Sequence, residues 1–397
     1  MLRVIYEIII EPPEKLIVHL FSMLQVKVYS ELSKNQDTFL FLDATGSVIR
    51  KTKIFKSGKA IYYYALIASH EKGIPIAEMI STSHCWPTIA HWLNSFTYAI
   101  KSETASYISP KKIEIDFSWA LLISVLISFN KCDIMQYLER NYNRLVRHLD
   151  IEEQFTIIHI CSAHMIKAVE RRIQKKLPKI KKDIKAFALR GFGYLQNCTT
   201  LAECEVAYRA LHLVFNSAYE TDQCAKAKTE IDNWTIGEQE ESNIEETLDY
   251  KENAKDVTKQ HKIDKRKLRI SSPFTAHFAK LSGKLNFEAD NVKKNNPFYN
   301  KTLFDIITYY IYMLPFWSGI LISKFGIRRD TNSIVESYFR YLKHTVLKNR
   351  SIPLPEFIRT TMKYGTNRCK ASFTIEKINL GVSGKKEKKT KDIELKH

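Results

Sequence analysis

Two short strand-like runs in this chain each close on an aspartate, and they constrain the fold more than any other feature. Thr38-Phe39-Leu40-Phe41-Leu42 leads into Asp43-Ala44-Thr45-Gly46, and Lys112-Ile113-Glu114-Ile115 leads into Asp116. A brief apolar run ending in a turn is the pattern of a buried strand. Acids at strand exits can converge from distant parts of a sequence. Further runs extend the pattern: Ser47–Lys51 and Ala60–Ala68 read as strands of an antiparallel meander, and Phe155–Ile160 as a later strand. Helical periodicity follows at Trp86–Lys101, Ser118–Phe129, Asp133–Leu149 and Cys161–Lys176. Strands alternating with helices predict an α/β fold, a mixed sheet flanked by helices.

The rest of the chain reads as helix with one charged interruption. Residues 165–232 look helical, Gly237–Arg269 is acidic and then basic, and helices resume at Lys301–Trp317 and Asn332–Lys348. Ile306–Ser323 carries no charge, but Pro315 breaks it, so we read it as a buried helix and not a membrane span. The resulting division is a helical segment at 1–36, a first core part at 37–176, and a helical insertion at 177–300. A disordered charged linker lies at about 237–270 within that insertion. The third acid falls in a last core part at 301–350, and an extension with a basic tail occupies 351–397.

Charge bears on partners. Lysine plus arginine is 61 against 43 acids, a net charge of +18, which favours an acidic polymer such as nucleic acid. Lys167, Arg171, Arg172, Lys175 and Lys176 begin a basic stretch that continues to Lys185 against only Glu170 and Asp183. Backbone phosphates suit it, although a solvated helix face is the plainer reading. The seven scattered cysteines form no CxxC and read as reduced thiols. Glycine-rich phosphate loops, GxSxG and HExxH are absent from the sequence. The run Lys385–Lys391 reads as a nuclear-import signal or an ordinary basic tail.

Three acids suit a site for two divalent metals: Asp43, Asp116 and Glu336. Plainer roles stand beside these. Asp43 can be a turn acid, Asp116 the cap of the next helix, and Glu336 the partner of Arg340 one turn on. Cys161-Ser162-Ala163-His164 supplies two potential zinc ligands of the four that zinc needs. It can equally be a buried thiol and imidazole supporting the acids, or place His164 against phosphate or water.

Taken in order, four blocks resemble the Mutator-like and hAT-related DDE transposases. Phe41-Leu42-Asp43-Ala44-Thr45-Gly46 is similar to their first catalytic block, and Ile113-Glu114-Ile115-Asp116-Phe117-Ser118 to their second. Cys161-x-x-His164 is similar to the motif after the second aspartate, and Asn332–Lys343 to the block holding the third acid. The resemblance spans about residues 35–345. It implies an RNase H-like core with an all-helical insertion before the glutamate. It also implies Asp43, Asp116 and Glu336 as catalytic ligands of Mg2+, with Mn2+ as substitute, and Cys161 and His164 as near-site supports. DNA strand transfer by phosphodiester hydrolysis, a nuclear location and a homodimer follow from the same likeness, with no membrane partner. About 35 residues precede the first block and include no cysteine, whereas such enzymes usually carry a DNA-binding module there, often a zinc finger. A truncated or domesticated derivative is therefore expected. The alternative function is a catalytically silent DNA- or protein-binding module.

Overall fold

A computed structural model describes residues 4–11, 15–35, 37–50, 60–70, 73–105, 108–152, 154–234, 264–283 and 294–371. They fall into two compact units, 1–110 with 333–397, and 111–332. The first unit opens with β1 (Val4–Glu11), β2 (Lys15–Ser22), α1 (Met23–Asn35), β3 (Phe39–Thr45), β4 (Tyr62–Ala68), β5 (Ile74–Ser81) and α2 (Trp86–Thr104). The second holds β6 (Lys112–Ile115), α3 (Trp119–Val125), α4 (Ile134–Arg147), β7 (Ile157–Ile160), α5 (Ser162–Lys176), α6 (Lys182–Asn197), α7 (Leu201–Asn216) and α8 (Asp222–Trp234). It continues through α9 (Lys265–Ser271), α10 (Pro273–Ser282), α11 (Lys301–Ile307) and a 3-10 segment, Thr308–Phe316. The chain then returns to the first unit with α12 (Ser333–Tyr341) and a helix over 354–371, α13. The protein is α/β, as expected.

Strands of the first unit run antiparallel in the order β1-β2-β5-β4-β3. Two expectations fail here. The segment 1–36 is not wholly helical, because 4–22 pairs as a hairpin and only α1 is helix. Its β-branched Val4, Ile5, Ile8, Ile9, Ile10, Ile17 and Val18 favour extended backbone. Ser47–Lys51 is not a strand as far as it is described. Ser47 takes a left-handed φ of 64°, and Ile49 makes one isolated bridge to Ile352. A strand not anticipated, β5, contains Pro75, which sits where the β4 register shifts between Leu66 and Ile67. Proline is tolerated at such a bulge, where the ladder is already broken.

One face of this sheet presents Leu16, Val18, Phe41, Tyr63, Ala65, Ile67 and Ile80. Helix α12 covers it with Val335, Tyr338, Phe339 and then Leu342, the spacing of a single helical stripe. Phe357 of α13 fills the same core. Burying four such side chains contributes on the order of 6–12 kcal/mol as an upper bound. The stripe fixes the rotation of α12 and so the placement of Glu336 in its first turn.

In the second unit β6 and β7 pair in parallel, Lys112 opposite Ile157 and Ile115 opposite Ile160. Ser118 caps α3 by accepting from Leu121 N, and Asp133 and Gln136 form a reciprocal capping box on α4. Asp116 is therefore not the α3 cap. Helices α5 to α11 supply the long helical stretch. The basic end of the supposed linker is not disordered at Lys265–Ser271, which is α9 with Asp264 accepting from Arg266 N and Lys267 N. Most of that linker and the basic tail lie outside the described residues.

The uncharged stretch bends out of α11 into 3-10 geometry around Pro315, and Tyr310 to Phe316 are buried. Among the described residues no single helix is long and apolar enough to cross a membrane. A pair qualifying by length and composition, Trp119–Asn130 with Ile134–Arg147, is bent by 67° and buries Leu121, Leu122, Val125 and Tyr137 in the core.

Candidate functional site

Strand β6 alternates charge with isoleucine. Lys112 and Glu114 share one face, Ile113 and Ile115 the other, and Asp116 stands next on the charged side. In β7 the same alternation puts His159 opposite Glu114. His159 Nδ1 lies 3.0 Å from both Glu114 carboxylate oxygens, and Lys112 Nζ lies 3.4 Å from Oε2. The Lys112 ammonium also pairs with Asp330. Lys112, Glu114 and His159 have no exposed surface. Burial pulls the Lys112 pKa down, and Glu114 pulls it back toward the charged form. Removing one member would strand a buried charge, which is costly.

This row ends in a polar cluster. Cys161 N donates to Ile115 O at 2.8 Å, extending the parallel ladder by one residue, and Cys161 then opens α5. One helical turn later His164 brings Nδ1 to 3.2 Å from Asp116 Oδ1. Asn332 Nδ2 donates to the same oxygen at 3.0 Å, and Asn332 N donates to Cys161 Sγ at 3.5 Å. Donor atoms of Asp116, Cys161 and His164 all lie within 4.8 Å of one another. The Asp116 side chain is only 13% exposed. Its Oδ2 has no hydrogen-bond partner among the described residues.

The donor set discriminates between metals. Burial pushes the Cys161 thiol far above its usual range, and the Asp116 and Glu114 carboxylates push it further. Three residues fall short of a closed zinc site. A hard cation that takes few carboxylates and keeps its waters fits better. Asp116 can offer it Oδ2, while Asn332 Nδ2 holds Oδ1.

Of the residues singled out from sequence, Asp116, Cys161 and His164 thus come together in the second unit. The other two acids belong to the first. Asp43 is buried in β3, its Oδ1 accepting from Ala44 N at 2.6 Å. It follows Phe41 by two residues and so points to the sheet face that α12 covers. Glu336 is half-buried on α12. Among the cations of α5, Arg171, Lys175 and Lys176 are exposed and Lys167 is half-buried. Arg172 is laid on a ring, its guanidinium carbon 3.4 Å from the Tyr309 centroid. Lys185 is neutralised by Glu170 at 2.6 Å.

Sequence reasoning passed over Lys112, Glu114 and Asp330, and it read Asn332 only as part of a block. A signal was present in Lys-Ile-Glu-Ile-Asp, where charge recurs at every second position of an otherwise apolar strand.

No protein-family model matches the chain, and no solved structure matches it. The chain is 24% identical, over 81% of its length, to the 120.7 kDa protein in the NOF-FB transposable element of Drosophila melanogaster. It spans 30% of that protein. A chain whose strand-end acid is braced by a Cys-x-x-His turn and an asparagine is therefore similar, over most of its own length, to a protein encoded by a transposable element.

Proposed function

We propose that the chain is a transposase-like core that hydrolyses DNA phosphodiesters and transfers the strand with divalent metal ions. The observation that carries this is Asp116: Asn332 Nδ2 holds one oxygen with His164 Nδ1 3.2 Å away, the other oxygen accepts no hydrogen bond from the described residues, and the position matches the second block of the transposase resemblance. Similarity to a transposable-element protein supports it independently. In this reading the fold is RNase H-like, and Asp43 and Glu336 are the remaining acids. Asp43 stands on a strand of the first unit and Glu336 on α12, the helix that covers that unit's sheet. Bound magnesium, or manganese in its place, would activate water and stabilise the leaving oxygen. The chain's own part is to aim Asp116 Oδ2. Asn332 holds the carboxylate by its Oδ1 with His164 beside it, and the Lys112–Glu114–His159 row keeps β6 and β7 in register behind it. Cys161 packs as a neutral thiol and hydrogen-bond acceptor. A nuclear location and a homodimer belong to the same proposal.

The test is manganese-dependent nicking of supercoiled plasmid by the purified chain and by Asp116→Asn. Loss of one metal ligand is expected to lower nicking by about 10³-fold, about 4 kcal/mol of barrier, with an unchanged far-ultraviolet circular dichroism spectrum. Equal nicking by both proteins, or nicking that survives chelation, refutes the assignment. DNA binding without nicking in the parent returns the silent binding module.

A further inference from the structure

Two basic helices, remote in sequence, meet on one aromatic ring. Arg172 of α5 and Arg269 of α9 both stack on Tyr309, at 3.4 and 5.1 Å from its centroid. Helical spacing places Lys175 and Lys176 on the Arg172 side of α5, and Lys265 and Arg266 on the Arg269 side of α9. Lys175, Lys176, Lys265 and Arg266 are exposed. The acids on or capping these helices are occupied: Glu170 is paired with Lys185, and Asp264 accepts the first backbone amides of α9. Cations outnumber acids on both helices, so each carries a net positive charge.

The ring beneath them belongs to an aromatic row that leads toward Asp116. Tyr309 packs on Tyr310 at 4.9 Å, Tyr310 on Phe117 at 5.4 Å, and Phe117 on Trp119 at 6.3 Å. Lys265 Nζ stands 4.9 Å over the Trp119 ring. Cations thus cover Tyr309 and Trp119 at the two ends of the row. A face already covered by a cation is not open for a base to stack on, so this surface presents charge.

We propose that α5 and α9 form one continuous cationic surface for the phosphate backbone of duplex DNA, ending beside Phe117 and Asp116. Its six residues are Arg172, Lys175, Lys176, Lys265, Arg266 and Arg269. The two arginines on Tyr309 fix the helices to each other, and the four exposed cations contact phosphates without reading sequence. The choice of DNA rests on the proposed function; the existence of the surface does not.

The experiment is fluorescence anisotropy with a short labelled duplex of random sequence, titrated across salt in the presence of a chelator. One variant is Lys175→Gln with Lys176→Gln and Arg266→Gln. The control removes equal charge elsewhere in the same unit, at exposed Lys226, Lys280 and Lys301, each changed to Gln. Three lost phosphate contacts should flatten the log affinity against log salt slope by about 2.7, with little change in the control. Equal flattening in both triples, no flattening in the first, or a preference for phosphatidylserine vesicles over DNA overturns the proposal. Binding is read without metal and repeated in Asp116→Asn. Equal nicking by the parent and Asp116→Asn, with the surface effect intact, sinks only the catalytic reading. Loss of the surface effect with nicking intact sinks only this one.

Discussion

Removing the hydroxyl of Tyr338 tests how α12 is held. Its Oη donates to Glu78 Oε1 at 3.0 Å and lies 2.9 Å from Tyr63 Oη, which donates to the same carboxylate oxygen. All three side chains are buried. Tyr338→Phe keeps the ring in the core and deletes one hydrogen bond to a carboxylate, worth about 1.5–3 kcal/mol. For a unit of this size that is about 3–12 °C in Tm. The loss has a pH signature. Burial raises the Glu78 pKa above the ordinary 4.5, while the two tyrosine hydroxyls and Gln25 lower it. A raised folded pKa means that the native state gains stability as pH falls from that value toward 4.5. Deleting a donor raises the folded pKa further. The cost of Tyr338→Phe is therefore largest at high pH, where the carboxylate needs its donors, and shrinks toward pH 4.5. Urea unfolding of parent and variant at a series of pH values measures it. A difference that is flat with pH, or below about 0.5 kcal/mol against the range above, refutes the idea that this carboxylate anchors α12.

Two further predictions concern stability. Burial lowers the His84 pKa from 6.5 to about 4, with its Nδ1 2.7 Å from Tyr64 Oη. A depressed histidine contributes stability above pH 6.5 that is lost as pH falls toward 4, up to about 3 kcal/mol; His84→Asn should flatten that part of the urea profile. Gly319→Ala would set a Cβ 2.5 Å from Arg328 O and 3.0 Å from Cys198 O, both backbone atoms. Overpacking there should cost about 1–3 kcal/mol, read as a lower urea midpoint with an unchanged m-value.

What was legible in the sequence was whatever a single segment specifies. β3 and β7 stand out as apolar runs, β6 as an isoleucine-charge alternation ending in an acid, and α2, α4 and α5 as amphipathic or capped periods, so Asp43, Asp116 and Glu336 land on the strand, strand exit and helix foreseen for them. The hairpin of β1 and β2 was obscured because Glu7, Lys15 and His19 interrupt its apolar pattern. β5 was obscured by Pro75, acceptable because β5 itself bulges at Ile76 beside it. In the site, the proximity of Asp116 to Cys161 and His164 came from the order of blocks. The buried row behind them was beyond reach, since Glu114 meets His159 only through the parallel register, and Asp330 arrives from the far end of the helical stretch.

The first unit is encoded in two pieces, residues 1–110 and 333–397. During translation its strands leave the ribosome long before α12 and α13 exist. At about 5–20 residues per second, the intervening segment takes roughly 11–45 s to synthesise. For that interval the face formed by Phe41, Tyr63, Ala65 and Ile67 has no Val335, Tyr338, Phe339 or Phe357 to cover it. A nascent chain in that state presents a sticky sheet to chaperones and to its neighbours on the polysome. A premature stop before Ser333 would leave the sheet uncovered for good, so truncated products of this gene should accumulate in aggregates.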